Sequence, residues 1–477
     1  MKQKVYFRAD ASQEIGYGHF IRSLALADML KEDFDCTFFT QTPSDYQVKE
    51  VLNVCSLVEL PSYESKFDRF LEYLTGDEIV VLDNYFFSTD YQRAIKKKGC
   101  ILICIDDMHD KHYVADVVIN HGCSERSYFD IEPNTRLCLG ARWTLLRKPF
   151  IENMNASKKQ KDSWFISFGG SDSNNLTEKY IKVLINKDIS DIEVVIGNSY
   201  QYIESLTKYP SVNVYRNLSA SQMASLMNVC ENAILPTSGI CLEALSQGCN
   251  VYAGYYIDNQ LCMYGYLVGV QAIHPMGDLR ITDDIEMSPR NKNGNSLHTE
   301  MKNIGLRYNL LVRSLDNNSV VINGLTFIDY TRLPLDKHEE VWQIRNEWDI
   351  RKHMDSTNII PWENHCRFIE SLIDNTSKTY WAVYQDDEFL ASVNITYLSD
   401  NVVERGIFIS PSQFGKSVGS KIECAMFELL KSMSIVAVEA KVLHGNAVSL
   451  AFHDKNEYKK YHEDDKYCYL RRIIKNE

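Results

Sequence analysis

One unit occurs twice in this chain and limits its fold more than anything else: an apolar strand, a glycine-bearing turn, then a helix. The first copy reads KVYFRADASQEIGYGHFIRSLALADMLKE and the second SWFISFGGSDSNNLTEKYIKVLI. β-Branched and aromatic residues crowd the strands, and apolar residues recur at three and four in the helices. After the first unit come CTFFTQT, EIVVLDNYF and CILICIDD; after the second come IEVVIG, VNVYRN, ENAILPTSG and CNVYAGY. Short strands that are apolar throughout and separated by helices predict parallel sheets covered on both faces. The predicted class is α/β, with one half over residues 1–150 and another over 151–324.

The style then changes. MSPRNKNGNS reads as a loop, LHTEMKNIGLRYNLLVRSL as one closing helix, and DNNSVVING as a polar stretch before a boundary near Gly324. From LTFIDYTRLP onward the order is strand, helices, antiparallel strands, helix and strand, which predicts an α+β domain over 325–477. Three such parts suit a chain of 477 residues, at about 150 residues per domain.

Composition narrows the function. A formal charge of -13 argues against nucleic acid as a partner, because phosphate backbones attract basic surfaces. The 13 cysteines are odd in number and scattered. They show no CxxC pair and no Cys/His cluster at zinc spacing, which reads as a reduced cytoplasmic chain with no metal. MKQKVYFRAD enters a strand directly, without a signal-peptide core. No apolar run reaches the ~18 residues of a membrane span. Nothing in the sequence sets the oligomeric state.

The first glycine turn carries the chemistry. Gly16 and Gly18 match the start of GxGxxG, but the third slot is Ile21 and the second strand, CTFFTQT, ends without an acid. A dinucleotide site fails on both counts. What remains is a helix N-terminus whose N–H groups can face an anion, with His19 beside it. A neutral imidazole there can take a proton from water; it can equally pack or hydrogen-bond. Asp83 and Tyr85 in LDNYFFS, and Asp106 and Asp107 in IDD, end later strands, where the crevice of an open α/β sheet lies. Each has a structural alternative as a cap or an edge residue. Gly169, Gly170 and Ser171 form a small turn able to approach a diphosphate, or an ordinary helix start. Glu243 in TSGICLEALSQG can accept two hydrogen bonds from a vicinal diol. Asn259 and Gln260 in GYYIDNQ suit sugar hydroxyls, or a turn.

RADASQEIGYGHFIRSLALA resembles the opening of the UDP-sugar hydrolases of pseudaminic acid biosynthesis. Those enzymes resemble in turn the transferase that adds N-acetylglucosamine to lipid-linked precursors. The resemblance covers about residues 1–275 and implies two Rossmann-like domains in a GT-B-like arrangement. It places Gly16, Gly18, His19 and Arg22 on the family's GxGHxxR motif, with His19 as the base that activates water. It further implies a sugar-side role for Tyr85, ribose binding by Glu243, an Asn259–Gln260 pair at the sugar, and UDP loss with inversion at the anomeric carbon.

The C-terminal part resembles GNAT acetyltransferases, most closely those acting on the 4-amino group of a UDP-sugar. The resemblance rests on IRNEWDIRKHM, NHCRFIESLI, ERGIFISPSQFGKSVGSKIECAMFELL and HGNAVSLAFHDKNEYKK. It implies acetyl-CoA as co-substrate. Ile407, Phe408 and Ile409 would pair with the pantetheine arm, and Gly415, Lys416, Ser417, Val418 and Gly419 would hold the pyrophosphate; Asn446 completes the set. Two departures stand out. The loop has Phe414 in place of a basic residue and Ser417 in place of a glycine. Counting from Asn446, the place of the tyrosine that protonates the leaving thiolate in relatives holds His453, which can donate that proton too; alternatively the register is imperfect or His453 is a bystander. Glu404 could relay the amine proton, or be a solvated charge.

The expected function is thus bifunctional, acetylation of a UDP-amino sugar followed by hydrolysis of the product. The expected partners are small-molecule UDP-sugars. The alternatives are another nucleotide-sugar hydrolase, an epimerase or transferase, and a nucleotide-sugar-binding scaffold with a degenerate acetyltransferase.

Overall fold

Seven strands of the first sheet run parallel in the order Ser56–Leu60, Asp35–Gln41, Lys4–Arg8, Ile79–Leu82, Ile101–Ile105, Val117–Asn120, Arg136–Leu139. Six of the second run parallel in the order Val212–Arg216, Ile192–Ile196, Gln160–Ile166, Cys230–Pro236, Asn250–Tyr255, His274–Asp278. In both, the first strand of the sheet lies inside and later strands add on either side. Each sheet therefore has a point where the connections diverge, and the crevice there takes ligands. It falls between Lys4–Arg8 and Ile79–Leu82 in the first sheet, and between Gln160–Ile166 and Cys230–Pro236 in the second. Every residue of Ile79–Leu82 and of Val117–Asn120 is buried, the mark of strands covered on both faces.

The computed structural model describes residues 2–12, 15–154, 159–289, 294–315, 319–354, 356–373, 375, 377–399, 401–433 and 435–474. Residues 290–293 of the predicted loop and 316–318 of the polar stretch lie outside them. The chain divides into two compact units, Met1–Tyr308 and Asn309–Glu477. Both parallel sheets belong to the first, a Rossmann-like α/β region.

The second unit holds an eight-stranded mixed sheet. Its order is Val320–Ile322, Leu325–Asp329, Lys378–Gln385, Glu388–Ser399, Val402–Ile409, Ala437–Leu443, Tyr467–Ile473, Lys459–Glu463. All neighbours are antiparallel except Val402–Ile409 and Ala437–Leu443. Ile422, Met426 and Leu430 of helix Val418–Ser432 pack on this sheet with Val393, Val403 and Val438.

Two details differ from the sequence reading. The single closing helix is two, Gly294–Glu300 and Ile304–Ser314, because Asn303 adopts φ 58 and a left-handed residue cannot continue a helix. Gly324, near which the sequence places a boundary, lies within a hairpin. Asn323 and Gly324 both have positive φ, the two-residue turn that Asn-Gly favours, and Val320–Ile322 pairs with Leu325–Asp329.

Candidate active sites

Helix Gly18–Leu30 starts just beyond strand Lys4–Arg8 and the glycine turn. Gly16 has φ 83, a conformation that costs glycine little, and it lets the chain turn into the helix. His19 is thereby carried to the first crevice, and Asp83 reaches it from the end of Ile79–Leu82. His19 Nδ1 lies 2.7 Å from Asp83 Oδ1. The carboxylate accepts the Nδ1 proton, so the lone pair sits on Nε2.

Asp83 is surrounded by donors. Arg22 gives it two hydrogen bonds, Nε to Oδ2 at 2.7 Å and Nη2 to Oδ1 at 2.6 Å, and Ser23 Oγ donates to Oδ2 at 3.0 Å. Burial alone would raise the Asp83 carboxyl; Arg22 and His19 outweigh it and hold it below the ordinary value. Arg22 also donates from Nη1 to Asp107 Oδ2 at 2.9 Å. Its guanidinium stays firmly charged, because Asp107 and Asp83 overcome the burial that opposes it.

Tyr85 stands at the mouth. Its Oη donates to Asp107 Oδ2 at 3.2 Å, and its ring meets His19 edge-on at 4.5 Å. Burial and then Asp107 push its hydroxyl up to about 12. His19, Arg22, Tyr85 and Asp106 line a cavity of ≈ 10 Å³, a space near the size of one water. Asp106 itself accepts the backbone N–H groups of Met108 and His109 at 3.2 and 2.9 Å, so it shapes the loop.

The second sheet contributes its own turn. Gly169, Gly170 and Ser171 are exposed after Gln160–Ile166, Gly169 with φ 81. Asp172, not Ser171, caps the following helix by accepting from Leu176 and Thr177 N–H at 2.8 Å. Gly197 is required because a Cβ there would lie 2.5 Å from Gly170 Cα.

Glu243, on helix Gly239–Ser246, is gripped by Arg147. Nε meets Oε1 at 2.7 Å and Nη2 meets Oε2 at 2.8 Å. Asn259 Nδ2 donates to Tyr85 Oη at 3.4 Å. Gln260 is instead a buried turn residue whose Oε1 accepts from Tyr256 N–H at 2.9 Å.

In the second unit the decisive feature is backbone. Val402–Ile409 and Ala437–Leu443 pair only from Val402–Ala437 to Glu404–Glu439. Beyond that they splay, while Arg405–Ile409 remains paired with Glu388–Ser399 on its other side. Backbone groups of Gly406–Ile409 on the open side therefore face a cavity of ≈ 1360 Å³, and they suit an extended, amide-bearing ligand.

Phe414, Gly415, Ser417, Val418 and Gly419 line that cavity, as do Glu404, Asn446 and His453. Lys416 is exposed on the same loop but outside the lining. Ser417 has φ 58, a left-handed conformation that glycine adopts at less cost than a residue with a Cβ. Asn446 Oδ1 caps helix Ala447–Lys455 by accepting from Ser449 N–H at 3.0 Å.

His453 is 3% exposed. Its Nδ1–H donates to Ser449 O at 2.6 Å, and its Nε2 accepts from Arg405 Nη2 at 3.0 Å. Burial and then the Arg405 charge push its pKa down to about 4. Both ring nitrogens are thus engaged within the protein. Arg405 also donates to Glu423 at 3.1 Å and Tyr458 Oη at 3.2 Å, and Tyr458 donates to Glu423 at 2.6 Å.

Comparison with known proteins follows the same division. Residues 338–458 match the acetyltransferase (GNAT) family model. An acetyltransferase, PseH, of Campylobacter jejuni is 26% identical over 30% of this chain and 89% of its own length. A UDP-2,4-diacetamido-2,4,6-trideoxy-beta-L-altropyranose hydrolase of Campylobacter jejuni is 28% identical over 54% of this chain and 93% of its own length.

The chain fuses a UDP-sugar-hydrolase-like region to a PseH-like GNAT acetyltransferase domain.

An uncharacterized protein of Methanocaldococcus jannaschii has 25% identity across 96% of this chain and 97% of its own. Among the described residues no helix is long and apolar enough to cross a membrane.

Within the hydrolase-like region the fold brings His19, Arg22, Asp83 and Tyr85 together and adds Asp107 and Asn259. It separates Gln260 from them by turning its side chain inward. Arg147 was missed from sequence, since its partner lies 96 positions away. Within the GNAT domain, Arg405, Glu423 and Tyr458 were missed; a buried arginine beside the glycine-bearing strand was the available signal.

Proposed function

We propose that this chain acetylates the 4-amino group of a UDP-amino sugar with acetyl-CoA and then hydrolyses the resulting UDP-2,4-diacetamido-2,4,6-trideoxy sugar. The hydrogen bond from His19 Nδ1 to Asp83 carries the hydrolytic half. It leaves Nε2 to take a proton from water as that oxygen bonds to the anomeric carbon. The carbon–oxygen bond to UDP breaks, and the electron pair leaves with the diphosphate. Arg22 keeps Asp83 ionised, and Asp83 in turn stabilises the imidazolium that forms. The Gly169–Ser171 turn receives the diphosphate, Glu243 the ribose diol alongside Arg147, and Tyr85 and Asn259 the sugar. The two parallel sheets, over 1–150 and 151–324, act as the halves of a GT-B-like enzyme.

In the acetyltransferase half, over 325–477 with strand Val320–Ile322 attached, acetyl-CoA is the acyl donor. Its pantetheine pairs with Gly406–Ile409, and its pyrophosphate meets the N–H groups of the 415–419 loop. The sugar amine attacks the thioester carbonyl, the carbon–sulfur bond breaks with its electron pair on the CoA sulfur, which leaves as a thiolate and takes a proton from solvent, and the amine proton leaves through Glu404. His453 acts by positioning: it fixes Arg405 beside the cavity. All 13 cysteines are free thiols, in keeping with a reducing cytoplasm.

The test is incubation of the full chain with the UDP-4-amino sugar and acetyl-CoA, following free thiol and UDP separately and identifying the sugar by NMR. Stoichiometric thiol followed by UDP and an inverted, diacetylated sugar is the expected result. UDP release at the parental rate by His19→Ala would overturn the base assignment.

A further inference from the structure

His109 and Cys262 are 153 positions apart, yet they and Cys123 converge. One His109 ring nitrogen and the two Sγ atoms all lie within 4.8 Å of one another, and His109 Nε2 is 3.9 Å from Cys262 Sγ. His109 sits in the loop after Ile101–Ile105 and Cys123 in the turn after Val117–Asn120, both of the first sheet. Cys262 lies in the first turn of helix Leu261–Gly269, between two strands of the second sheet.

The surroundings hold these groups for ligation. Asp106 fixes the His109 backbone N–H at 2.9 Å. Asn120 Oδ1 accepts from Gly122 N–H at 2.8 Å, which orients its amide so that Nδ2 donates to His109 Nε2 at 2.9 Å. That nitrogen therefore carries a lone pair, the form that binds metals. Phe129 packs edge-on against the ring at 4.6 Å. Glu125 N–H donates to Cys123 Sγ at 3.3 Å, the kind of bond that supports a thiolate. A Cβ on Gly122 would lie 3.1 Å from Met263 Cε, so the Cys123 turn and the Cys262 helix already touch.

We propose that His109, Cys123 and Cys262 form a site for a thiophilic divalent cation of the zinc class, which ties helix Leu261–Gly269 to the first sheet. Tetrahedral zinc, with Zn–S ≈ 2.3 Å and Zn–N ≈ 2.0–2.1 Å, puts its sulfurs about 3.8 Å apart and sulfur about 3.6 Å from nitrogen. Closing the cluster from separations of at most 4.8 Å thus needs each to shorten by no more than about 1.2 Å. Both cysteines bind as thiolates and give their protons to the buffer; the ion takes over the Nε2 lone pair from the Asn120 amide. Two thiolates and an imidazole select a soft or borderline ion over magnesium or calcium. A fourth position stays open for water. The ion would fix the helix that follows Asn259, and so hold the Asn259–Tyr85 contact from behind; it takes no part in the hydrolysis proposed above.

The test uses the full chain, reduced, stripped with a chelator and titrated with cobalt(II), then zinc(II). One equivalent of cobalt should bind with a thiolate-to-metal charge-transfer band, zinc should displace it, and either ion should raise Tm. Cys262→Ser, at a half-buried position, should weaken cobalt binding by at least about 100-fold while circular dichroism stays unchanged; Cys123→Ser should do the same. His444→Ala removes a more exposed cluster with Glu463 and Cys468 and should leave the band intact. The proposal is overturned if the stripped chain binds no cobalt, if the band survives Cys262→Ser, or if it disappears only in His444→Ala. It also fails if mass spectrometry of the untreated protein finds Cys123 and Cys262 joined as a disulfide.

Discussion

The hydrolase-like region and the GNAT domain build their sites from different materials. In the first, side-chain charge organises the crevice: Asp83 holds His19, and Arg22 joins Asp83 to Asp107. In the second, the main surface is backbone, exposed because two parallel strands pair for three residues and then part. A charged cluster around Arg405 is buried in the cavity lining, where Arg405 donates to Glu423 and Tyr458 while its Nε and Nη1 and Glu423 Oε2 have no hydrogen-bond partner among the described residues. A site made of charges fails when one member is removed. A site made of backbone fails when its shape is filled.

That contrast can be broken by substitution. His19→Ala should lower UDP release by about 10²- to 10⁴-fold and leave thiol release from acetyl-CoA unchanged; parallel assays on one preparation decide it. Asp83→Asn should cost about 10²-fold in the same kcat, because an amide no longer favours the Nδ1–H tautomer or the imidazolium. Restoration of the rate by the conservative Asp83→Glu would show that charge, not shape, matters there. Gly419→Val tests the other material. A Cβ at 419 would lie 2.9 Å from Ile409 Cδ1 and 3.1 Å from Phe452. The substitution should raise the KM for acetyl-CoA by about 10-fold and leave UDP release alone. Glu243→Gln should raise the KM for the UDP-sugar by a smaller factor of about 5, since one charge-assisted bond becomes neutral and Arg147 loses its partner.

The smallest effect concerns acid. Burial pushes His338 down to about 3 and His365 and His453 to about 4. Between about pH 6.5 and 4 the unfolded chain binds protons that the folded domain refuses. Stability of the GNAT domain should therefore fall as pH drops through that window, by several degrees of Tm. His338→Gln should flatten the slope in a thermal melt series, and an unchanged slope would remove the buried rings as its cause.

Much of this was legible because it is local. The turn and helix that carry His19 and Arg22 follow from glycine spacing and apolar period. Asp83 was visible as a polar residue closing an apolar strand. The strand, turn and helix around 415–419 were legible from Gly415, Gly419 and the apolar period, while the left-handed conformation of Ser417 was not. Gln260 was misleading because Asn-Gln reads the same whether the amide faces a ligand or its own turn. His453 was read as a proton donor, and the buried arginine that engages its Nε2 lies 48 positions away.

The sequence by itself determined the strand–turn–helix units, the α/β and α+β halves, and which polar residues stand at strand ends. These depend on residues within a few positions of one another, where periodicity and turn chemistry act. Only the tertiary structure decided that Arg147 grips Glu243, that Arg405 closes off His453, and that His109, Cys123 and Cys262 share one place. Those pairings arise from how sheets and helices pack, and packing joins positions whose separation along the chain carries no signal.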